Sequence, residues 1–149
     1  MCAKKVPLVT SILMFIIASN LASQNSNIIW LEHYGGSDWD GAYWVEEAGS
    51  MDNCGETGFI MVGATYSFGA GYDDIYLIKT DDRGIVEWEQ VYGNDYHDIG
   101  FCVKPTLDGG YIVCGGVWDI DTYDSDGLLM KTDAYGDTIW TRSYGGIRG

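Results

Sequence analysis

Four aspartates within eight residues, Asp119, Asp121, Asp124 and Asp126, form the densest set of candidate metal ligands in the chain. Carboxylate oxygens packed this closely are the ligands Ca²⁺ takes. The stretch 119–126 lacks the glycine and the distal glutamate of an EF-hand loop, and the corresponding stretch 66–74 has only Asp73 and Asp74. Two readings stay open: a weak Ca²⁺ site, or a solvated turn in which Asp126 and Asp74 cap backbone N–H groups.

Asp38 with Asp40, and Asp95 with Asp98, each follow a Tyr-Gly step. Paired carboxylates can exchange protons with a substrate. Their recurrence favours a turn that each repeat needs. His33 and His97 are the only histidines, and neither has a second His or a Cys at ligand spacing. They are expected to be ordinary surface or turn residues. Gly-x-Ser-x-Gly, the phosphate-cradling Gly-Lys-Ser/Thr loop and paired metal histidines are all missing from the sequence. No catalytic and no cofactor-binding residue is assigned, and no cofactor is expected other than Ca²⁺ on the weak-site reading of Asp119, Asp121, Asp124 and Asp126.

These residues are spaced by a repeat. Ile75-Tyr76-Leu77-Ile78-Lys79-Thr80-Asp81 aligns with Gly127-Leu128-Leu129-Met130-Lys131-Thr132-Asp133 at an offset of 52. The same offset joins Gly58 to Gly110, Gly63 to Gly115, Asp74 to Asp126, Gly84 to Gly136, Trp88 to Trp140 and Tyr92 to Tyr144. Further back, Trp30-x-x-x-Tyr34-Gly35 repeats the Trp-x-x-x-Tyr-Gly of Trp88 and Trp140 at an offset of 58, with the extra residues in the polar stretch Ser50–Thr57. Trp30, Trp88 and Trp140, with Tyr34, Tyr92 and Tyr144, are thus assigned as the structural repeat residues. Trp39, Tyr43, Trp44, Tyr96 and Trp118 fall outside that assignment and are the aromatics available for a carbohydrate or protein contact.

Alternation and turn residues predict strands at Ala42–Ala48, Phe59–Thr65, Ile75–Asp81 and Ile85–Tyr92. In the second repeat they predict Ile99–Thr106, Tyr111–Val117, Gly127–Asp133 and Thr138–Tyr144, with an acidic loop over Trp118–Asp126. Ile28–Tyr34 reads as one more, outer-type strand. No helical period occurs after the leader. Four short antiparallel strands in about 50 residues, repeated, is the pattern of a propeller blade. Such a meander has two faces to bury, and neighbouring blades bury them. The fold class is therefore all-β: a β-propeller fragment of about two four-stranded antiparallel blades plus an N-terminal outer strand. The expected organisation is a signal peptide (1–23), an outer strand and linker (24–41), a first blade (42–93), a second blade (94–146) and the start of a further repeat (147–149). A closed propeller needs about four blades or more, so further blades or other chains are expected.

The leader assignment rests on Lys4 and Lys5, the apolar run Val6–Leu21 and the small residues Ala22 and Ser23. The run is shorter than the roughly 20 residues of a membrane helix. Removing 1–23 takes the formal charge from −14 to −16, because the two lysines leave with it. So acidic a chain repels phosphate backbones, which excludes nucleic acid as a partner. Membrane association is expected only through the export signal. Cys54, Cys102 and Cys114 remain, and Cys102 and Cys114 flank the Asp108-Gly109 turn on neighbouring strands. In an oxidising compartment they form a disulfide if the register allows, and otherwise two small buried side chains.

The consensus Tyr-Gly-Gly, Asp-Gly-Gly-Tyr-Ile-x-x-Gly, Asp-x-x-Leu-x-Lys-Thr-Asp and Gly-x-x-x-Trp, carried on residues 28–146, resembles the β-propeller repeats of exported bacterial and archaeal surface proteins, including those called SBBP repeats. Quinoprotein blades share the Gly-x-x-x-Trp spacing, but here the Asp-to-Gly step is one residue shorter. Sialidase Asp boxes are tighter than Asp133–Trp140. The resemblance implies a propeller at the cell surface or outside the cell and no known activity. The expected function is binding or scaffolding of an unknown protein or glycan ligand. The alternatives are the N-terminal part of a propeller-containing secreted hydrolase and a Ca²⁺-stabilised surface repeat.

Overall fold

The computed structural model describes residues 30–49, 57–119 and 124–145. The expected signal peptide and residues 24–29 lie outside the described residues, as do Cys54, Asp121 and residues 146–149.

Eight strands run in chain order: β1 (Asp40–Gly49), β2 (Thr57–Thr65), β3 (Asp74–Thr80), β4 (Val86–Tyr92), β5 (His97–Pro105), β6 (Tyr111–Asp119), β7 (Asp124–Thr132) and β8 (Thr138–Tyr144). They form two four-stranded antiparallel meanders, β1-β2-β3-β4 and β5-β6-β7-β8. No helix occurs among the described residues. The turns explain the meander. In the β3–β4 turn Asp81 Oδ1 accepts the Arg83 and Ile85 N–H groups at 2.9 and 2.8 Å. In the β7–β8 turn Asp133 Oδ1 accepts those of Tyr135 and Asp137 at 2.8 and 2.9 Å. Gly84 and Gly136 close these turns at φ +79° and +88°, a conformation that only glycine adopts without strain.

The sheets lie face to face, with β5 against β1, β2 and β3. One shared core joins Ala48, Ile60, Val62, Ile75 and Leu77 of the first sheet to Val103, Tyr111, Val113, Leu128 and Met130 of the second. Each large apolar side chain removed from water here contributes about 1.5–3 kcal/mol. Met61, Tyr76 and Ile78 point the other way and pack against Tyr34, Val45 and Val91.

Two expectations change. Over its described part, 30–34, the anticipated outer strand Ile28–Tyr34 has no strand pairing. It passes over the face of the first sheet, where Trp30 meets Phe59 and Tyr34 meets the second cluster, so no backbone edge is offered to it. The stretch expected as an acidic loop over Trp118–Asp126 is strand at its described residues 118–119 and 124–126, because the β6–β7 ladder continues through Val117↔Asp126 and Trp118↔Ser125 to Asp119↔Asp124. In the first sheet the matching ladder stops at Thr65↔Asp74.

Candidate functional site

The junction between successive repeats is built twice. Trp30 packs on Phe59 with ring centroids 6.1 Å apart, and Trp88 packs on Tyr111 at 5.7 Å. Phe59 and Tyr111 are the same position, 52 residues apart. The Tyr34 hydroxyl donates to the Gly84 carbonyl at 2.7 Å, and the Tyr92 hydroxyl donates to the Gly136 carbonyl at 2.5 Å. A β-carbon on Gly84 would lie 2.5 Å from the Trp30 ring, and one on Gly136 2.9 Å from the Trp88 ring. Each junction is thus a Trp and a Tyr from one repeat closing on an aromatic and a turn glycine of the next. Burial is the main reason both phenols are held well above the ordinary tyrosine range, with nearby carboxylates adding to it. The hydroxyls are therefore fixed as protonated donors. Trp140 and Tyr144 occupy the third such position and are exposed.

Asp40 and Asp98, the second acid of each Tyr-Gly step, are turn caps. Asp40 is buried. Its Oδ2 accepts the Gly36 N–H and the Ser67 hydroxyl, both at 2.8 Å, and its Oδ1 accepts the Thr65 hydroxyl. Asp98 is buried and accepts the Asn94 N–H at 3.0 Å. Asp74 accepts the Ala70 N–H at 2.8 Å in the same i to i+4 geometry, while its Oδ1 is buried without a hydrogen-bond partner. Burial, followed by neighbouring carboxylates, raises the Asp74 and Asp98 carboxyls above the usual range against the pull of those N–H groups. His97, expected as a surface or turn residue, is half-buried at the first position of β5, just after the 95–96 bend. Its Nδ1 bonds the buried Asp73 carboxylate, and its ring stacks on Tyr72 at 4.6 Å.

Asp119, Asp124 and Asp126 do line one cleft, of about 430 Å³, with Tyr92, Tyr96 and Asp98. Its other lining residues include Ile75 of the first sheet and Leu128, Met130, Thr141 and Ser143 of the second. Among the described residues no group of three or more His, Cys, Asp or Glu is placed to hold a metal ion. Cys102 and Cys114 are direct partners in the β5–β6 register, with both thiols free. Opposed residues on antiparallel strands have α-carbons about 4.5–5.5 Å apart, inside the disulfide range.

The aromatics outside the assigned repeat set divide. Tyr43 and Phe101 are the extra residues at matching bulges of β1 and β5 and touch each other at 6.1 Å. Phe101 also meets Trp118 at 5.8 Å, and Trp39 meets Tyr66 at 5.7 Å. Trp44 lies beneath the Lys104 ammonium, which pairs with Glu46. Trp39, Tyr43, Trp44, Tyr66, Tyr96 and Phe101 all remain exposed. The equivalence of Tyr43 and Phe101 was hidden in the sequence by the 58-residue offset. The fully buried Lys79 was also missed: its Nζ reaches Glu87 Oε2 at 2.7 Å and the Thr80 carbonyl at 2.8 Å.

No protein-family model matches the sequence, and no curated protein matches it.

Proposed function

We propose that this chain is part of an exported β-propeller that acts in binding or scaffolding at the cell surface, rather than in catalysis. The single observation behind this is the junction itself: the same Trp-on-aromatic and Tyr-to-glycine contacts recur between successive repeats. A unit that locks onto its neighbour in the same way each time is suited to stacking around an axis. The leader supports export. The exposed rings of Tyr43 and Phe101, with half-buried Trp118 beside Phe101, are where a glycan or protein ligand would sit, since flat aromatic faces bind such ligands at low entropic cost.

Two measurements test this reading. Residues 1–29 fused to a reporter should carry it out of the cytoplasm; retention inside removes the export part. The purified chain on glycan and protein arrays should retain a ligand, and Phe101→Ala should weaken it about tenfold or more. Retention that Phe101→Ala leaves unchanged moves the site elsewhere. Turnover of an arrayed glycan would favour the hydrolase alternative. A melting point that falls on chelation would favour the Ca²⁺-stabilised repeat.

A further inference from the structure

The 52-residue offset gives each residue on the buried face of the first sheet a counterpart on the second. Ile60, Val62, Leu77 and Lys79 are buried where the first sheet meets the second. Their counterparts Ile112, Cys114, Leu129 and Lys131 lie on the opposite side of the second sheet from Val113, Leu128 and Met130, because side chains alternate along a strand. These counterparts are half-buried, and Cys114 is exposed. The junction residues behave alike. Trp88 and Tyr92 are engaged, whereas Trp140 is 36% exposed and Tyr144 61%. The second sheet therefore carries the complete donor half of the junction, both face and key.

The acceptor half also exists in this chain. The far face of the first sheet presents Met61, Tyr76 and Ile78, Phe59 and the Gly84 carbonyl. Trp30 and Tyr34 cover it from a segment that makes no strand ladder, whereas Trp140 and Tyr144 belong to β8, which is paired along its length with β7.

We propose that the outer face of the second sheet docks a second copy of this chain through the far face of that copy's first sheet. Trp140 and Tyr144 take the places on Phe59 and Gly84 that Trp30 and Tyr34 fill in the free chain. The contact continues the interface already present between the two sheets, residue for residue. It is head-to-tail, so it propagates into filaments or into rings, the smallest being two chains with four blades, and not into an isologous dimer. The net charge of −14 opposes it, so added salt strengthens it. This inference rests on the repeat reading above.

The test is sedimentation velocity and light scattering of the purified chain lacking 1–23, across concentration and salt. Species of two or more chains should grow with both. Leu129→Glu and, independently, Tyr144→Ala should weaken association about tenfold or more while leaving the melting point of the dilute chain in place. Removal of 24–36 should strengthen association by opening the acceptor face. A chain that stays monomeric with and without 24–36, or whose association survives both Leu129→Glu and Tyr144→Ala, overturns the proposal. Tyr92→Phe separates the two readings. If it lowers the melting point while the parent stays monomeric, the repeat junction stands and the docking falls. If it changes nothing, the junction itself is wrong.

Discussion

Leu77 and Leu129 hold the same place in the repeat, at the centre of the third strand of their sheets, and their surroundings are opposite. Leu77 is fully buried between the two sheets, whereas Leu129 is half-exposed on the side of the second sheet that no element covers among the described residues. Val62 and Cys114, and Lys79 and Lys131, repeat the contrast. The local pattern of alternation, turn aspartate and turn glycine is the same in both sheets and gives the same ladder. Burial is not local: it depends on whether another sheet lies against the face. A second difference sits at the β2–β3 and β6–β7 connections. In the first sheet Gly69 and Gly71 take positive φ, and the chain leaves the ladder at Thr65. In the second, no glycine interrupts Trp118–Asp126, and the ladder runs on to Asp119 and Asp124.

The comparison is broken most sharply by matched truncations. Leu77→Ala should cost about 3 kcal/mol of unfolding free energy, since it empties a fully buried site. Leu129→Ala should cost well under half of that in dilute solution, read from urea midpoints. Equal costs would mean that the outer face of the second sheet is covered in solution.

The lysines come next. Lys79 is wholly enclosed, and its partner Glu87 retains little exposure. Lys79→Met leaves that carboxylate without its cation and should cost about 3 kcal/mol. Lys131 reaches Asp108 at 3.0 Å, but that carboxylate stays solvated. Lys131→Met should therefore shift the thermal midpoint much less. A third matched pair tests the junction: Tyr92→Phe removes the donor to the Gly136 carbonyl and should cost about 1 kcal/mol, while Tyr144→Phe should leave the dilute chain unchanged.

These pairs also mark where reading the sequence stops. All eight strands were legible from alternation and turn chemistry, and the β3–β4 and β7–β8 hairpins most plainly, because an aspartate and a glycine a few positions apart close them. The Trp and Tyr positions were legible because they recur. The partners of those residues were not: Phe59, Tyr111 and the Gly84 and Gly136 carbonyls lie tens of residues away, and no local pattern links them. Lys79 reads as a polar strand residue until Glu87, across the hairpin, is seen beside it. Segment 30–34 carries the motif of an outer strand, yet a motif supplies no edge to pair with.

The smallest effect concerns Asp74 and its counterpart Asp126, and it has a sign that can be fixed in advance. Asp74 is buried with one oxygen unpartnered, near Asp98 and Asp73 and with His97 adjoining Asp73. Its carboxyl, and that of Asp98, take up protons more readily in the folded chain than in the unfolded one, first because of burial and then because of neighbouring negative charge. The folded state therefore binds more protons, and these two groups add stability as the pH falls from neutral towards the ordinary carboxylate range. Asp108 acts in the other direction. The Thr106 hydroxyl, Lys131 and the Gly110 N–H hold it down to about 2 from an ordinary 3.8, so its contribution is present above that ordinary value and is lost between there and about 2. The melting point should thus rise on mild acidification and fall again in strong acid. Asp74→Asn keeps an acceptor for the Ala70 N–H and removes the buried charge. It should raise stability at pH 7 by on the order of 1 kcal/mol and flatten the mild-acid rise. Asp126→Asn, on the half-open second sheet, should leave that rise in place. If Asp74→Asn instead lowers the midpoint at pH 7, the unpartnered oxygen has a partner in solution, and the two sheets differ at this position in a way their burial does not explain.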